Sequence, residues 1–105
     1  MIEEKDKAQR FNQGKRKWSY VHFKAFEPMI EVLEFGALKY APNNWRKGLD
    51  KLETLESIQR HVGELIDKVN TGEEEIDAES LKPIIGHIMC GCMFYSSLFT
   101  INKNK

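Results

Sequence analysis

The chain has 105 residues, 41% of them hydrophobic, which suits one domain with a modest core. Lysine plus arginine and aspartate plus glutamate both total 16, so the net charge is zero. No global field therefore favours a nucleic acid polymer or an anionic membrane as partner, and any phosphate chemistry must be local.

Residues 1 to about 10 are charged, lack the apolar run of a secretory leader, and are expected to fray. Arg10 to Trp18 then combines a turn signal at Gly14 with four basic residues. It could contact phosphate through backbone N–H groups and Lys15, or it could be a solvated basic turn. Trp18, Tyr20, Val21 and Phe23 are expected to pack back onto the helices that follow.

A first helix is expected from about 28 to 40. Pro28 suits a first helical position, while Pro42 disfavours helical geometry at Ala41. Met29, Val32, Leu33, Gly36 and Tyr40 form one apolar face, which Ile30, Phe35, Ala37 and Leu38 widen. Glu31 and Glu34, at i and i+3, share the narrow strip left over. Two acids flanked by apolar side chains either hold a cation or face water from a partly exposed helix.

Residues 41 to 50 read as a tight loop carrying Trp45, Arg46 and Lys47 behind Asn43 and Asn44. The tryptophan could stack on a base while the cations meet its phosphates, or it could be a packed ring with a basic rim. A second helix is expected from about 51 to 70, with Leu52, Leu55, Ile58, Val62, Leu65, Ile66 and Val69 at helical spacing and an end at Gly72. Its solvent side carries Glu53, Glu56, Arg60, Glu64, Asp67 and Lys68, with His61 at the margin. Glu64 and Asp67 repeat the spacing of Glu31 and Glu34. Antiparallel packing of the two helices could bring four carboxylates together, although charged faces often hold such pairs by chance.

An acidic connector, Glu73 to Ser80, leads to a third helix expected from about 81 to 101, with Ser80 as cap and Pro83 in its first turn. Ile84 to Ile101 contains no Asp, Glu, Lys or Arg. His87, the serines and two glycines favour a central bundle helix over a membrane span. Gly86, Cys90, Gly91 and Ser97 allow close helix approach. Cys90 and Cys92 diverge by roughly 200° on a helix and read as reduced thiols in a cytoplasmic setting. So apolar a helix in so short a chain implies burial against a second protomer.

Phe11-Asn-Gln-Gly-Lys15, Val32-Leu-Glu-Phe-Gly-Ala-Leu-Lys-Tyr-Ala-Pro-Asn-Asn-Trp-Arg-Lys-Gly48, Arg60-His61, Gly72-Glu73, Ile76-Asp-Ala-Glu-Ser80 and His87 resemble a known family. It is the phage-associated N-terminal domain of dATP/dGTP diphosphohydrolases, which is similar to the all-α MazG-like nucleotide pyrophosphohydrolases. Those enzymes carry Glu-x-x-Glu and then Glu-x-x-Asp, binding magnesium, and Glu31-Val-Leu-Glu34 and Glu64-Leu-Ile-Asp67 match in order. The chain departs from the pattern at Ile84, where the earlier of two histidines is usual, and at Ala78 and Leu81, where proline and glycine are usual.

The resemblance implies one all-α domain over 1–105, a bundle of three main helices with a loop-rich N-terminal segment, assembled as a homo-oligomer, dimer or tetramer. It implies cleavage of a purine deoxynucleoside triphosphate to monophosphate and pyrophosphate in the cytoplasm, that of the host if the protein is of phage origin. Magnesium, with manganese as alternative, would be held by Glu31, Glu34, Glu64 and Asp67. Glu31, Glu34 and His61 would serve the chemistry. Lys15, Lys39, Tyr40, Asn44, Trp45, Arg46, Lys47 and Asp77 would bind the nucleotide. The alternative is a protein on the same fold that sequesters a nucleotide, such as a signalling nucleotide, without cleaving it. A third is a structural helical module whose acids are solvated.

Overall fold

The computed structural model describes residues 8–11 and 13–103, so the fraying expected of residues 1–10 falls mostly outside it, as does Asn12 of the first motif. The described residues form three α-helices, α1 (Glu27–Lys39), α2 (Lys51–Thr71) and α3 (Ile84–Lys103), with single 3-10 turns at Trp18–Tyr20, Phe23–Phe26 and Asn44–Lys47. Among the described residues there is no strand beyond an isolated bridge between Ile76 and Pro83. The fold is all-α, as expected.

Each helix boundary has a local cause. Pro28 lies in the first turn of α1, and the helix closes with the Tyr40 N–H donating to the Gly36 carbonyl at 2.8 Å. Asn43, in the left-handed region at φ 59°, and Gly48, at φ 113°, then turn the chain toward α2. The Asp50 carboxylate caps α2 by accepting from the Glu53 N–H at 2.9 Å, a cap not read from the sequence. Gly72, at φ 72°, ends α2 as expected, its N–H donating to the Lys68 and Val69 carbonyls.

α3 begins at Ile84, later than expected, because residues 75–84 form a closed turn of their own. The Asp77 N–H donates to the Lys82 carbonyl at 2.9 Å, the Leu81 N–H to Asp77 at 2.8 Å, and the Ile84 N–H to Glu75 at 3.0 Å. Leu81 adopts φ 59°, where a side chain costs roughly 1–2 kcal/mol and where glycine is at ease. Ser80 does not cap α3. Its hydroxyl instead meets His87 Nε2 at 2.7 Å and accepts from the Lys82 N–H at 3.2 Å, while its own N–H donates to the Asp77 carboxylate at 2.8 Å.

α3 is the central helix: α1 and α2 both pack on it and scarcely on each other. Two glycines, five residues apart and therefore on different sides of α3, make this possible. At Gly86 an added Cβ would collide with the Pro28 carbonyl oxygen and lie 2.7 Å from its carbon and 2.9 Å from Val32 Cγ2. At Gly91 it would meet Ile58 Cγ1 at 2.5 Å. Each helix therefore docks where α3 lacks a side chain.

The protomer buries little. Among the described residues its buried hydrophobic side chains are Val32, Ile84 and Cys90. The Cα radius of gyration is 18.6 Å, against about 13 Å for a compact domain of this size. The expected packing of the N-terminal aromatics does not occur: Trp18 is 79%, Tyr20 84% and Phe23 86% exposed. Their short turns run directly into α1 with no facing helix among the described residues. α1 is likewise covered on one side only, with Leu38 90% exposed. Along α2, Ile58 and Leu65 are partly covered while Leu52, Leu55, Val62, Ile66 and Val69 stay exposed, because α3 covers only one edge of that stripe. No helix of the described residues is long and apolar enough to cross a membrane.

Candidate metal and nucleotide site

Because α1 and α2 flank α3 without closing on each other, a cleft of about 780 Å³ opens between them. Glu34 and Lys39 of α1 border it, with Tyr40, Asn44, Trp45 and Arg46 of the segment that follows. Glu53 and His61 of α2, Asp77, Glu79 and Ser80 of the turn, and His87 and Phe94 of α3 complete the wall. Lys47 is exposed and does not border it, and Lys15 lies in a separate hollow with Arg10 and Phe11. Glu53, expected on the solvent side, is exposed yet reaches the rim of the cleft because the loop before α2 folds over that end.

The four carboxylates Glu31, Glu34, Glu64 and Asp67 do not form a group within the protomer. Among the described residues the Glu31 and Glu34 carboxylates make no hydrogen bond or ion pair, Glu34 is exposed, and Asp67 lies exposed outside the cleft. The intervening α3 holds their helices apart. An all-oxygen magnesium set is thus not assembled in one chain.

What does converge is His61, Glu64 and Asp77, whose ligand atoms lie within 4.8 Å of one another. His61 Nδ1 is 3.8 Å from Glu64 Oε1, too far for a hydrogen bond. That oxygen is buried and has no hydrogen-bond partner, though the side chain as a whole is 36% exposed. An unpaired buried acceptor costs about 1–3 kcal/mol, more when charged. Asp77, 8% exposed, is oriented by the Ser80 N–H at 2.8 Å. The Ser80 hydroxyl is 2.7 Å from His87 Nε2, whose ring stacks on His61 with centroids 4.7 Å apart.

The charges follow from this packing. Burial pushes the Asp77 carboxyl up, but the hydrogen bonds from Ser80 and the two imidazoles together bring it below its usual value. His87 is held below its ordinary value, first by burial and then by His61, against the pull of Asp77, so it favours the neutral imidazole. Burial pushes the Cys90 thiol up to about 12, making it an inert packing group that donates to the Met29 carbonyl at 3.4 Å.

At the other end of the cleft, Lys39 Nζ donates to Glu79 at 2.9 Å, tying α1 to the turn. That hydrogen bond is the main cause of its raised pKa. Trp45 stacks on Phe94, ring centroids 5.1 Å apart, and the Arg46 guanidinium lies over its ring at 5.0 Å. Of the two alternatives for Trp45, the protomer shows the packed ring with a basic rim.

Sequence reading missed Ser80 and Glu79 as parts of the site. The Asp77-x-Glu-Ser80 motif carried the signal, but Ser80 just ahead of a helix reads first as a cap. The cleft thus joins imidazole and carboxylate groups to an aromatic, cationic loop within an all-α domain. The chain belongs to the family described as dATP/dGTP diphosphohydrolase, N-terminal, which it matches over residues 5–105. No curated protein and no solved structure matches it significantly.

Proposed function

We propose that the protein is a cytoplasmic nucleotide pyrophosphohydrolase that cleaves a purine deoxynucleoside triphosphate to monophosphate and pyrophosphate. The observation that carries this reading is the shared cleft: Glu34, His61 and Asp77 border the same space as Lys39, Arg46 and Trp45. The family's name points to the substrate class.

A divalent cation, magnesium or in its place manganese, would supply neutralisation of the polyphosphate charge. Of its expected ligands, only Glu34 borders the cleft in one chain, so gathering Glu31, Glu34, Glu64 and Asp67 requires a second protomer or movement of α1. Arg46 would meet the phosphates, and Lys39 would do so on leaving Glu79, with Lys47 and Lys15 joining from outside the cleft. Asn44 and Tyr40 would face the base, together with whatever edge of Trp45 remains free. Glu34 or His61 would orient or deprotonate the attacking water.

Assembly as a homodimer or tetramer belongs to the same reading. The open shape and the exposed stripe of α2 leave apolar area that folded monomers rarely present, and a second copy is the occupant we assign to it. One observation favours the sequestering alternative. Ile84 is fully buried where the family pattern has a histidine, so one polar group of the site is replaced by packing.

Incubation with deoxynucleoside triphosphates and magnesium, followed by denaturation and identification of the released nucleotides, separates the two. Monophosphate with pyrophosphate supports hydrolysis. Tightly bound, intact nucleotide supports sequestration, and no retained or altered nucleotide overturns both.

A further inference from the structure

We infer that His61, Glu64 and Asp77 form a binding site for a divalent first-row transition ion, sharing only Glu64 with the four-carboxylate magnesium set. One ligand atom from each residue lies within 4.8 Å of the other two. Two atoms bound tetrahedrally to one such ion stand roughly 3.3 Å apart, and His61 Nδ1 is already 3.8 Å from Glu64 Oε1. Small side-chain rotations close the rest.

Three features point to a cation and not to a chance cluster. Glu64 Oε1 is buried with no hydrogen-bond donor, although His61 Nδ1 stands 3.8 Å away, so its negative charge lacks a close partner among the described residues. No lysine or arginine pairs with Glu64 or Asp77 among the described residues, while the nearby Lys39 is engaged by Glu79. The ligands are also oriented from behind: the Ser80 N–H fixes the Asp77 carboxylate at 2.8 Å, and the His87 ring stacks on His61 and limits its rotation. Metal sites rely on such outer contacts to hold ligand geometry.

The donor set decides the class of ion. Magnesium keeps its waters and takes oxygen from one or two carboxylates, whereas imidazole beside carboxylate suits manganese, cobalt, iron or zinc. Three protein donors leave a position open for water or a phosphate oxygen. Glu64 belongs to both proposed sets, so an ion here would compete with magnesium for that carboxylate.

The test uses cobalt as probe on the metal-stripped full chain without nucleotide, read by visible d–d absorption and by calorimetry. Wild type should bind one Co2+ per protomer, and millimolar Mg2+ should not displace it. His61→Ala should weaken binding by about 100-fold or more. Glu64→Gln, which keeps size, should also lose binding, guarding against a misfolded histidine variant. Replacing the exposed His22 with alanine should change nothing.

Equal Co2+ affinity in wild type and His61→Ala, no Co2+ binding by wild type, or ready displacement by Mg2+ would overturn the site. The inference does not depend on the hydrolase reading. A protein that binds Co2+ through His61 yet releases intact nucleotide overturns hydrolysis alone, and one that cleaves with Mg2+ but ignores Co2+ overturns this site alone.

Discussion

Replacing Gly86 and Gly63 separately with alanine should shift stability in opposite directions. Both glycines lie inside helices, so each alanine gains up to about 1 kcal/mol of helix propensity. At Gly63 the new methyl meets nothing within 4 Å, and the gain stands. At Gly86 it meets the Pro28 backbone, its carbonyl carbon at 2.7 Å, together with Val32 Cγ2 at 2.9 Å. Backbone cannot rotate away as a flexible side chain can, so overpacking should cost about 3 kcal/mol, the upper part of its usual range. The net loss is about 2 kcal/mol, a fall in Tm of roughly 10 °C, while Gly63→Ala should raise Tm by roughly 4–8 °C. Thermal melts followed by circular dichroism read both. If Gly86→Ala melts as high as the parent, α1 is not docked at that glycine and the cleft is built differently. The site should feel the change too. Val32 lies two residues before Glu34 and Gly86 one before His87, so a shift of about 1 Å at this contact should lower any turnover by about 100-fold.

Two further outcomes are expected. Glu34→Gln should reduce magnesium-dependent turnover by at least ~100-fold, about 2.7 kcal/mol of transition-state stabilisation. It should leave Tm unchanged, because Glu34 is exposed. Glu56→Gln, away from the cleft, is the control, and steady-state kinetics showing equal rates in both variants would remove Glu34 from the chemistry. Sedimentation at low micromolar protein should find a dimer or tetramer. A well-folded monomer there would mean that the exposed stripe from Leu52 to Val69 needs no partner.

Local signals in this chain were legible and distant ones were not. Pro28, Pro42 and Gly72 bounded helices because each acts on its own backbone, whereas leucine at 81 carries no local sign of its positive φ, and only the resemblance, with glycine usual there, hinted at it. Glu31 with Glu34, and Glu64 with Asp67, could each be placed on one helix face by spacing. Whether the two faces meet depends on α3, which stands between their helices. The convergence of His61 with Asp77 had no periodic signature, since it arises from a tight turn folding beside an α2–α3 contact. Trp45 and Phe94, 49 positions apart in the chain, were equally out of reach of local reasoning.

Position 84 shows how fold and site constrain each other. Ile84 and His87 are i and i+3 on α3, so they point to the same side of the helix. Ile84 is fully buried there, while His87 meets Ser80 and stacks on His61. A histidine at 84, as in the family pattern, would need a hydrogen-bond partner in that enclosed space or would remain an unsatisfied polar group. Isoleucine removes that demand and strengthens a sparse core at one of its few buried positions. The His61, Glu64 and Asp77 group does not itself include position 84, so a substitution there can alter the nucleotide chemistry and leave those three ligands in place. For that reason cobalt affinity and nucleotide turnover must be measured separately: an Ile84→His variant that gains turnover with unchanged cobalt affinity would assign position 84 to the nucleotide, and a change in both would join it to the metal.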